Sequence, residues 1–274
     1  MHWGMIAGFL EEGLDLRTAD LMIGTSAGAI MGARFALGED PRLSPTPLDP
    51  SSASAAPLAN AALQQLIVSC AEAIVSSQPQ EGWKAIGKSA LAVDTVSENA
   101  AITRPTLAAL SSRPWPENFR ATAVNAFTGQ LQLWGPSSGV ALDRAVASSS
   151  ALPGFYPPIS VDGARYMDGG VRSMLNADLA KGFGRVVVIS CFDLSSPLTA
   201  PEPVKALNNA LNGEIEQLRA QGSSVEVITP NEEFLVLSEY GAKMFDASRV
   251  PAACEIAKAQ ARREIDRIRN NWTS

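Results

Sequence analysis

A chain of 274 residues, 46% hydrophobic and 18% charged, is long enough to bury a sizeable core in one large or two small domains. Its formal net charge of −6 argues against nucleic acid as a partner, because phosphate backbones attract basic surfaces. The three cysteines, Cys70, Cys191 and Cys254, are far apart and lack metal-ligand spacing, which predicts buried thiols in a reducing compartment and no metal site.

The first predicted elements surround a Gly-x-Ser-x-Gly motif. Apolar residues at helical spacing predict a helix over Gly4 to Leu14, and a short apolar run from Leu21 to Ile23 predicts a buried strand. The run leads into Gly24-Thr25-Ser26-Ala27-Gly28, and a second helix is predicted over Ala27 to Leu37. A strand, a tight turn and a helix in this order are typical of a nucleophile elbow, where small neighbours leave room for a strained serine.

The middle of the chain contains a proline-rich segment, several helices and two hairpins. Glu39 to Pro57 holds five prolines, which predicts a loop, with a lid over the site as the alternative. Periodicity predicts helices over Ala59–Ser76, Trp83–Leu91, Thr103–Leu110 and Leu142–Ser148. Alternation and turn residues predict one hairpin from Phe119–Asn125 and Leu131–Trp134, and another from Ile159–Val161 and Ala164–Met167.

The last part of the chain alternates strands with helices. A β-branched run over Arg185–Ser190 predicts a strand buried on both faces, and a second strand is expected over Val225–Thr229. Helices are predicted over Pro201–Ala220 and Ala252–Ile268. This order favours a three-layer α/β/α sandwich with a mostly parallel central sheet. Because no linker divides the chain, we expect one domain over residues 1–274, with a core over about 2–190 and residues 191–274 packed on it.

The partner of Ser26 has to be a group other than histidine. The sequence has one histidine, His2, and its place beside the first residue makes it a poor member of a catalytic triad. Asp168 precedes Gly169 and Gly170 at the end of a predicted strand. In a dry pocket the pKa of such a carboxyl rises and it becomes a base for a serine hydroxyl; the alternative is a plain Asp-Gly turn.

A second Gly-x-Ser-x-Gly pattern spans Gly135 to Gly139. Pro136 restricts the backbone just before Ser137, and the next helix is expected several residues later. We therefore predict that Ser137 and Ser138 are turn or cap residues rather than nucleophiles.

The elbow motif and the Asp168-Gly169-Gly170 motif together resemble the Ser-Asp dyad of the patatin-like phospholipases. The stretch from Ala147 to Pro158 resembles the Ala-Ser-x-x-x-Pro…Pro-Pro segment before that family's catalytic Asp, and Gly4 to Leu14 resembles its first helix. Asn176 and Ala180 lie where the family continues with a short loop and a helix. The resemblance implies Ser26 as nucleophile, Asp168 as base and no metal or organic cofactor, with the motif glycines Gly24, Gly28, Gly169 and Gly170.

One departure concerns the family's Gly-rich oxyanion loop and first strand, which would lie upstream of Met1. The backbone N–H of Ala27 is then the remaining local candidate for an oxyanion donor. Either the chain start is recorded too far downstream, which we favour, or this copy is impaired. An absent first strand would leave a groove of unpaired backbone groups in the sheet.

These observations predict a serine acyl hydrolase that acts on lipid carboxylic esters and touches a membrane surface transiently. A catalytically impaired scaffold that binds an acyl chain or a partner, and an acyltransferase, are the alternatives. The lack of a secretory leader predicts a cytoplasmic location. Phe155, Tyr156 and Trp134 are either pocket or core residues, and the sequence leaves the head group, the chain length and the oligomeric state open.

Overall fold

A computed structural model describes residues 1–43, 52–195, 197 and 200–273. In this part of the chain the helices are α1 (His2–Glu11), α2 (Ala27–Ala36), α3 (Ser52–Val75), α4 (Pro79–Ala92), α5 (Glu98–Ile102), α6 (Leu142–Ser149), α7 (Glu202–Ala220), α8 (Glu232–Leu237) and α9 (Val250–Thr273). The strands are β1 (Met22–Gly24), β2 (Phe119–Asn125), β3 (Leu131–Trp134), β4 (Ile159–Val161), β5 (Ala164–Asp168), β6 (Arg185–Ile189) and β7 (Ser224–Ile228).

Most predicted elements are found, with ends shifted by a few residues, and two short α-helices, α5 and α8, were not predicted. The segment predicted as a helix over Thr103–Leu110 is instead a 3-10 helix over Pro105–Leu110. The loop predicted over Glu39 to Pro57 is wrong at its C-terminal end, because α3 begins at Ser52 and contains Pro57. A proline near the start of a helix removes one backbone hydrogen bond, which the long remainder of α3 outweighs. Residues 44–51 of that segment lie outside the described residues.

The strands form two sheets with mixed pairing. The larger sheet has the order β1-β2-β5-β4, with β3 also paired to β2, and the smaller sheet is β6-β7. β1–β2 and β6–β7 are parallel, as helix–strand alternation predicts. The pairs β2–β3, β2–β5 and β4–β5 are antiparallel, because β2–β3 and β4–β5 are hairpins and β5 folds back on β2.

Helices cover both faces of the sheets, which confirms the predicted α/β/α sandwich. Three of the five strand pairs in the described part of the chain are antiparallel, so the pairing is mixed rather than mostly parallel. Phe119, Ala121 and Ala123 of β2 belong to the core cluster shared with α2 and α6. Val124, which points to the other face of β2, packs with α3 and α4. In the smaller sheet, Val186 and Val188 pack towards α7, while Val187 and Ile189 pack towards α1 and α9. Both faces of β6 thus meet apolar layers, as its β-branched sequence predicts.

One helical stretch among the described residues, Pro57–Val75 of α3, is long and apolar enough to cross a membrane by length and composition alone. Leu63, Leu66 and Cys70 on this stretch are buried in a core cluster with β2 and β5. Because 33% of the stretch is buried, only part of it packs on the core, and a single stretch of this kind is weak evidence for a membrane span.

Candidate active site

Ser26 lies in the tight turn between β1 and α2, in a backbone conformation that few residues adopt. Its φ and ψ are 54° and −121°, which strains a residue that has a Cβ. Gly24 is required on steric grounds, because a Cβ there would lie 2.5 Å from the Cα of Ala29. Gly28 is less constrained: a Cβ would have the His2 ring at 3.8 Å as its nearest neighbour. The strained turn presents the hydroxyl of Ser26 to a cavity, as a nucleophile elbow does.

The register of β2 explains why two motifs that are distant in sequence meet. β1 pairs in parallel with the first residues of β2 and ends at Gly24, opposite Ala121. β5 pairs antiparallel with the last residues of β2 and ends at Asp168, opposite Ala123. Since β1 and β5 run towards each other along β2, their carboxyl ends converge at the centre of that strand. The structure thus brings Ser26 and Asp168 together.

The Ser26 hydroxyl donates a hydrogen bond of 2.6 Å to Oδ2 of Asp168. The other carboxyl oxygen, Oδ1, accepts the N–H of Gly170 at 2.8 Å. Asp168 is only 2% exposed, and this burial raises its pKa from 3.8 to about 6, against the opposing effects of Ser26, Gly170 and the charge of Arg104. A pKa near 6 makes the carboxylate a stronger base than an ordinary aspartate while leaving it ionised at neutral pH.

A buried polar cluster holds the serine turn against the Asp168 loop. The hydroxyls of Thr25 and Thr122 lie 2.9 Å apart, and Thr122 is fully buried. The side-chain amide of Asn176 donates to the Thr25 hydroxyl at 3.1 Å, to the carbonyl of Ser173 at 2.7 Å and to that of Gly169 at 3.3 Å. Gly169 has to be glycine, because a Cβ there would collide with Thr122 Oγ1 at 2.2 Å.

The sequence singles out Asn176 through the family resemblance, but it gives no bonding role to Asn176 or Thr122. In the sequence, Thr122 is one polar residue within a predicted strand. Its contact with Thr25 depends on the register between β1, β2 and β5. A polar residue on the otherwise apolar run from Ala121 to Val124 is the one local signal that could have marked it.

Two backbone N–H groups, those of Ser26 and Ala27, lie at the start of α2 beside the Ser26 hydroxyl. Ala27 is the first residue of α2, and its N–H has no hydrogen-bond partner in the part of the chain that the structure describes. The N–H of Ser26 itself donates to the hydroxyl of Ser149 at 3.2 Å. The start of α2 therefore offers one unpaired donor and the positive end of a helix dipole to an anion beside Ser26.

Arg104 and two aromatic residues form a wall of the same cavity. The Arg104 guanidinium donates to the Ser150 hydroxyl at 2.5 Å and lies 4.5 Å from the centre of the Tyr156 ring. Tyr156 and Phe155 contact each other edge to face and both line the cavity, so of the two alternatives left open by the sequence, pocket or core, the pocket applies to them. Trp134 instead belongs to the core, where its indole N–H donates to Ser148 at 2.9 Å.

The cavity has a volume of about 900 Å³ and separates the two sheets. Its lining includes Ser26, Asp168 and residues of both β1 and β6. Among the described residues, β1 pairs only with β2 and β6 only with β7, so each strand has an edge without a strand partner. No three His, Cys, Asp or Glu side chains of the described residues come together as a metal site requires.

The two competing sequence features lie away from the Ser26–Asp168 contact. Ser138 accepts the N–H of Gly135 at 2.8 Å, and Gly139 has a φ of 69°, so the second Gly-x-Ser-x-Gly is a turn, as predicted. His2 bonds to the carbonyl of Ile189 and to Cys191. The structure gives Asp168 the position that a triad histidine would otherwise occupy beside Ser26.

The part of the chain that contains the site matches a known protein family. A model of the patatin-like phospholipase family matches residues 1–181, a range that includes both Ser26 and Asp168. A search among curated proteins found no match.

Proposed function

Because the chain belongs to the patatin-like phospholipase family, we propose that it hydrolyses carboxylic esters of lipids with Ser26 as nucleophile and Asp168 as base. The family is one of lipid acyl hydrolases. The observation that carries the finer assignment is the 2.6 Å hydrogen bond from the Ser26 hydroxyl to Asp168, a carboxyl whose pKa burial raises to about 6. Neither side chain needs a metal or an organic cofactor for this chemistry.

Acylation begins when the Ser26 oxygen attacks the ester carbonyl and Asp168 takes the hydroxyl proton. The second oxygen of Asp168 stays bonded to the N–H of Gly170, which fixes the orientation of the carboxyl during the transfer. The developing oxyanion faces the N–H of Ala27 at the positive end of α2. Collapse of the tetrahedral intermediate breaks the ester bond, the alcohol leaves with the proton from Asp168, and the acyl group remains on Ser26.

Deacylation uses the same groups in reverse order. Asp168, again ionised, takes a proton from a water molecule that attacks the acyl-enzyme, and it returns the proton to Ser26 as the carboxylic acid leaves. The apolar walls of the cavity, which include Phe155 and Tyr156, suit an acyl chain. We propose that the substrate reaches this cavity during a transient contact of the protein with a membrane surface.

The second Gly-x-Ser-x-Gly serine supplies a matched control for the test. Ser26→Ala should lower the rate of hydrolysis of a p-nitrophenyl acyl ester by about 10³-fold or more and abolish labelling by a fluorophosphonate. Ser137→Ala, in the motif that forms a turn, should retain both wild-type hydrolysis and labelling. Wild-type activity in folded Ser26→Ala, shown by an unchanged circular dichroism spectrum, would contradict the proposal.

A catalytically impaired scaffold is the second candidate, and the single unpaired donor at Ala27 favours it. Removal of one oxyanion donor lowers kcat by about 10²–10³-fold in a serine hydrolase. A scaffold would bind an acyl chain in the cavity without reacting with the fluorophosphonate. Stoichiometric labelling of Ser26, mapped by mass spectrometry, would exclude this second candidate.

A further inference from the structure

Cys191 and His2 form a second pair of reactive side chains in the same cavity. Cys191 Sγ lies 3.3 Å from Nδ1 of His2 and 3.5 Å from Nε2. The Nε2 atom also lies 3.1 Å from the carbonyl oxygen of Ile189, which can accept a hydrogen bond but cannot donate one. This carbonyl therefore holds a proton on Nε2 and leaves Nδ1 to share a proton with the thiol.

We propose that Cys191, paired with His2, is a second nucleophilic site of the cavity, where α,β-unsaturated carbonyl compounds with an apolar chain form thioether adducts. Both side chains are partly exposed and line the cavity, so a ligand inside it has access to the sulfur. Neighbouring apolar residues, among them Trp3, Ile6 and Phe192, also line the cavity and suit an alkyl chain. The site is independent of the ester hydrolysis proposed for Ser26.

The electrostatics of the pair favour a thiolate. Burial alone would raise the pKa of Cys191, but the charge and hydrogen bond of His2 outweigh it and lower the pKa to about 7. Burial opposes the charged form of His2 as well, yet the Cys191 thiolate raises the net pKa of the imidazole. Each group thus stabilises the ionised form of the other, as in other cysteines beside an imidazolium.

The addition needs no oxidant or co-reactant. The thiolate attacks the β-carbon, a C–S bond forms, and the π electrons of the C=C bond move onto the carbonyl as an enolate. The imidazolium of His2 gives the proton on Nδ1 to the α-carbon, which restores the carbonyl group. The product is a saturated thioether and a neutral imidazole, so both members of the ion pair become neutral.

The chain carries an internal control in Cys70. This thiol is fully buried in α3 and donates to the carbonyl of Val171 at 3.2 Å. Burial raises its pKa to about 12, so almost none of it is a thiolate near neutral pH. A reagent that distinguishes thiols by access and ionisation should therefore leave Cys70 unmodified and react at Cys191.

The size of the expected effect follows from the two thiol pKa values. At about pH 6, a thiol with a pKa of about 7 is about 30-fold more ionised than an ordinary thiol with a pKa of about 8.5. The lower basicity reduces the intrinsic nucleophilicity of its thiolate by about 5-fold. The net expectation is that Cys191 reacts about 6-fold faster than the cysteine of a short unstructured peptide with an ordinary thiol pKa under the same conditions.

The test treats the full chain with trans-2-nonenal at about pH 6, reduces the adducts with borohydride and maps them by mass spectrometry over time. We expect adducts on Cys191 at about 6 times the rate of the cysteine in a short unstructured peptide and none on Cys70, with His2→Asn lowering the Cys191 rate at least 6-fold. Ser26→Ala should still be modified at Cys191, which separates this site from the proposed hydrolase. Wild-type protein whose Cys191 reacts no faster than the peptide cysteine, or His2→Asn that reacts at the wild-type rate, would overturn the proposal.

Discussion

Replacing Asp168 with asparagine measures what the burial of this carboxyl does to the fold. Burial raises the pKa of Asp168 from 3.8 to about 6, so the folded protein holds the proton more tightly than the unfolded chain. Protonated Asp168 therefore adds to the free energy of unfolding. This contribution is present in full below about pH 3.8 and is lost as the pH rises through about 6. At about 1.4 kcal/mol for each unit of pKa, the free energy of unfolding falls by about 3 kcal/mol over that range.

Because an amide does not titrate, Asp168→Asn should escape this loss. We expect the difference in unfolding free energy, variant minus wild type, to grow by about 2.5 kcal/mol between about pH 4 and pH 8 in urea denaturation. Asp94→Asn, which changes an exposed carboxyl, should stay within about 0.5 kcal/mol of wild type at both pH values. A difference for Asp168→Asn that stays constant or shrinks with rising pH would refute the assignment of the raised pKa to burial.

Three further predictions follow from the same contacts. The kcat/KM for a soluble acyl ester should rise with pH to a plateau with a midpoint near 6, because only ionised Asp168 accepts the Ser26 proton; a midpoint near 4 would contradict this. Gly8→Ala should lower the free energy of unfolding in urea by about 1–3 kcal/mol, because its Cβ would lie 2.6 Å from that of Ala261. Gly213→Ala in α7, where a Cβ has open space, should raise the free energy of unfolding by about 0.5–1 kcal/mol. A change of the same sign in both variants would contradict this packing. Asn176→Ala should lower kcat at least 10-fold with a smaller change in KM, measured by steady-state kinetics, and an unchanged kcat would remove its positioning role.

The parts of the fold that could be predicted are those whose signals are local. The hairpin of β4 and β5 follows from Asp162-Gly163, and both residues adopt the positive φ that the sequence implies, 47° and 79°. The turn at Ser26 follows from small residues between an apolar run and a helix. In each case the information lies within a few residues, so neither distant contacts nor strand order are needed to read it.

The parts that could not be predicted depend on register between distant strands. The sharing of one edge of β2 by β1 and β5 is set by pairing across about a hundred residues, and no local pattern encodes it. That register alone places Thr122 beside Thr25 and Gly169. Trp134 and Tyr156 illustrate the same limit, because two similar aromatic residues have different environments, one in the core and one on the cavity wall.

The open edges of β1 and β6 border the cavity that Ser26 lines, and this position bears on the proposed catalysis. In the proposed mechanism, activation of the nucleophile depends on Asp168 and the cluster around Thr25, whose contacts with Ser26 and Thr122 are present. Stabilisation of the oxyanion depends on backbone donors at the cavity, and among the described residues the N–H of Ala27 is unpaired at the start of α2. The two requirements are therefore independent of each other. A missing oxyanion donor slows ester turnover by about 10²–10³-fold per donor but leaves the Ser26 hydroxyl activated. If fluorophosphonate labelling and ester hydrolysis are both slow but keep a midpoint near pH 6, the deficit lies on the oxyanion side; if that midpoint is lost, the deficit lies in the contact between Ser26 and Asp168.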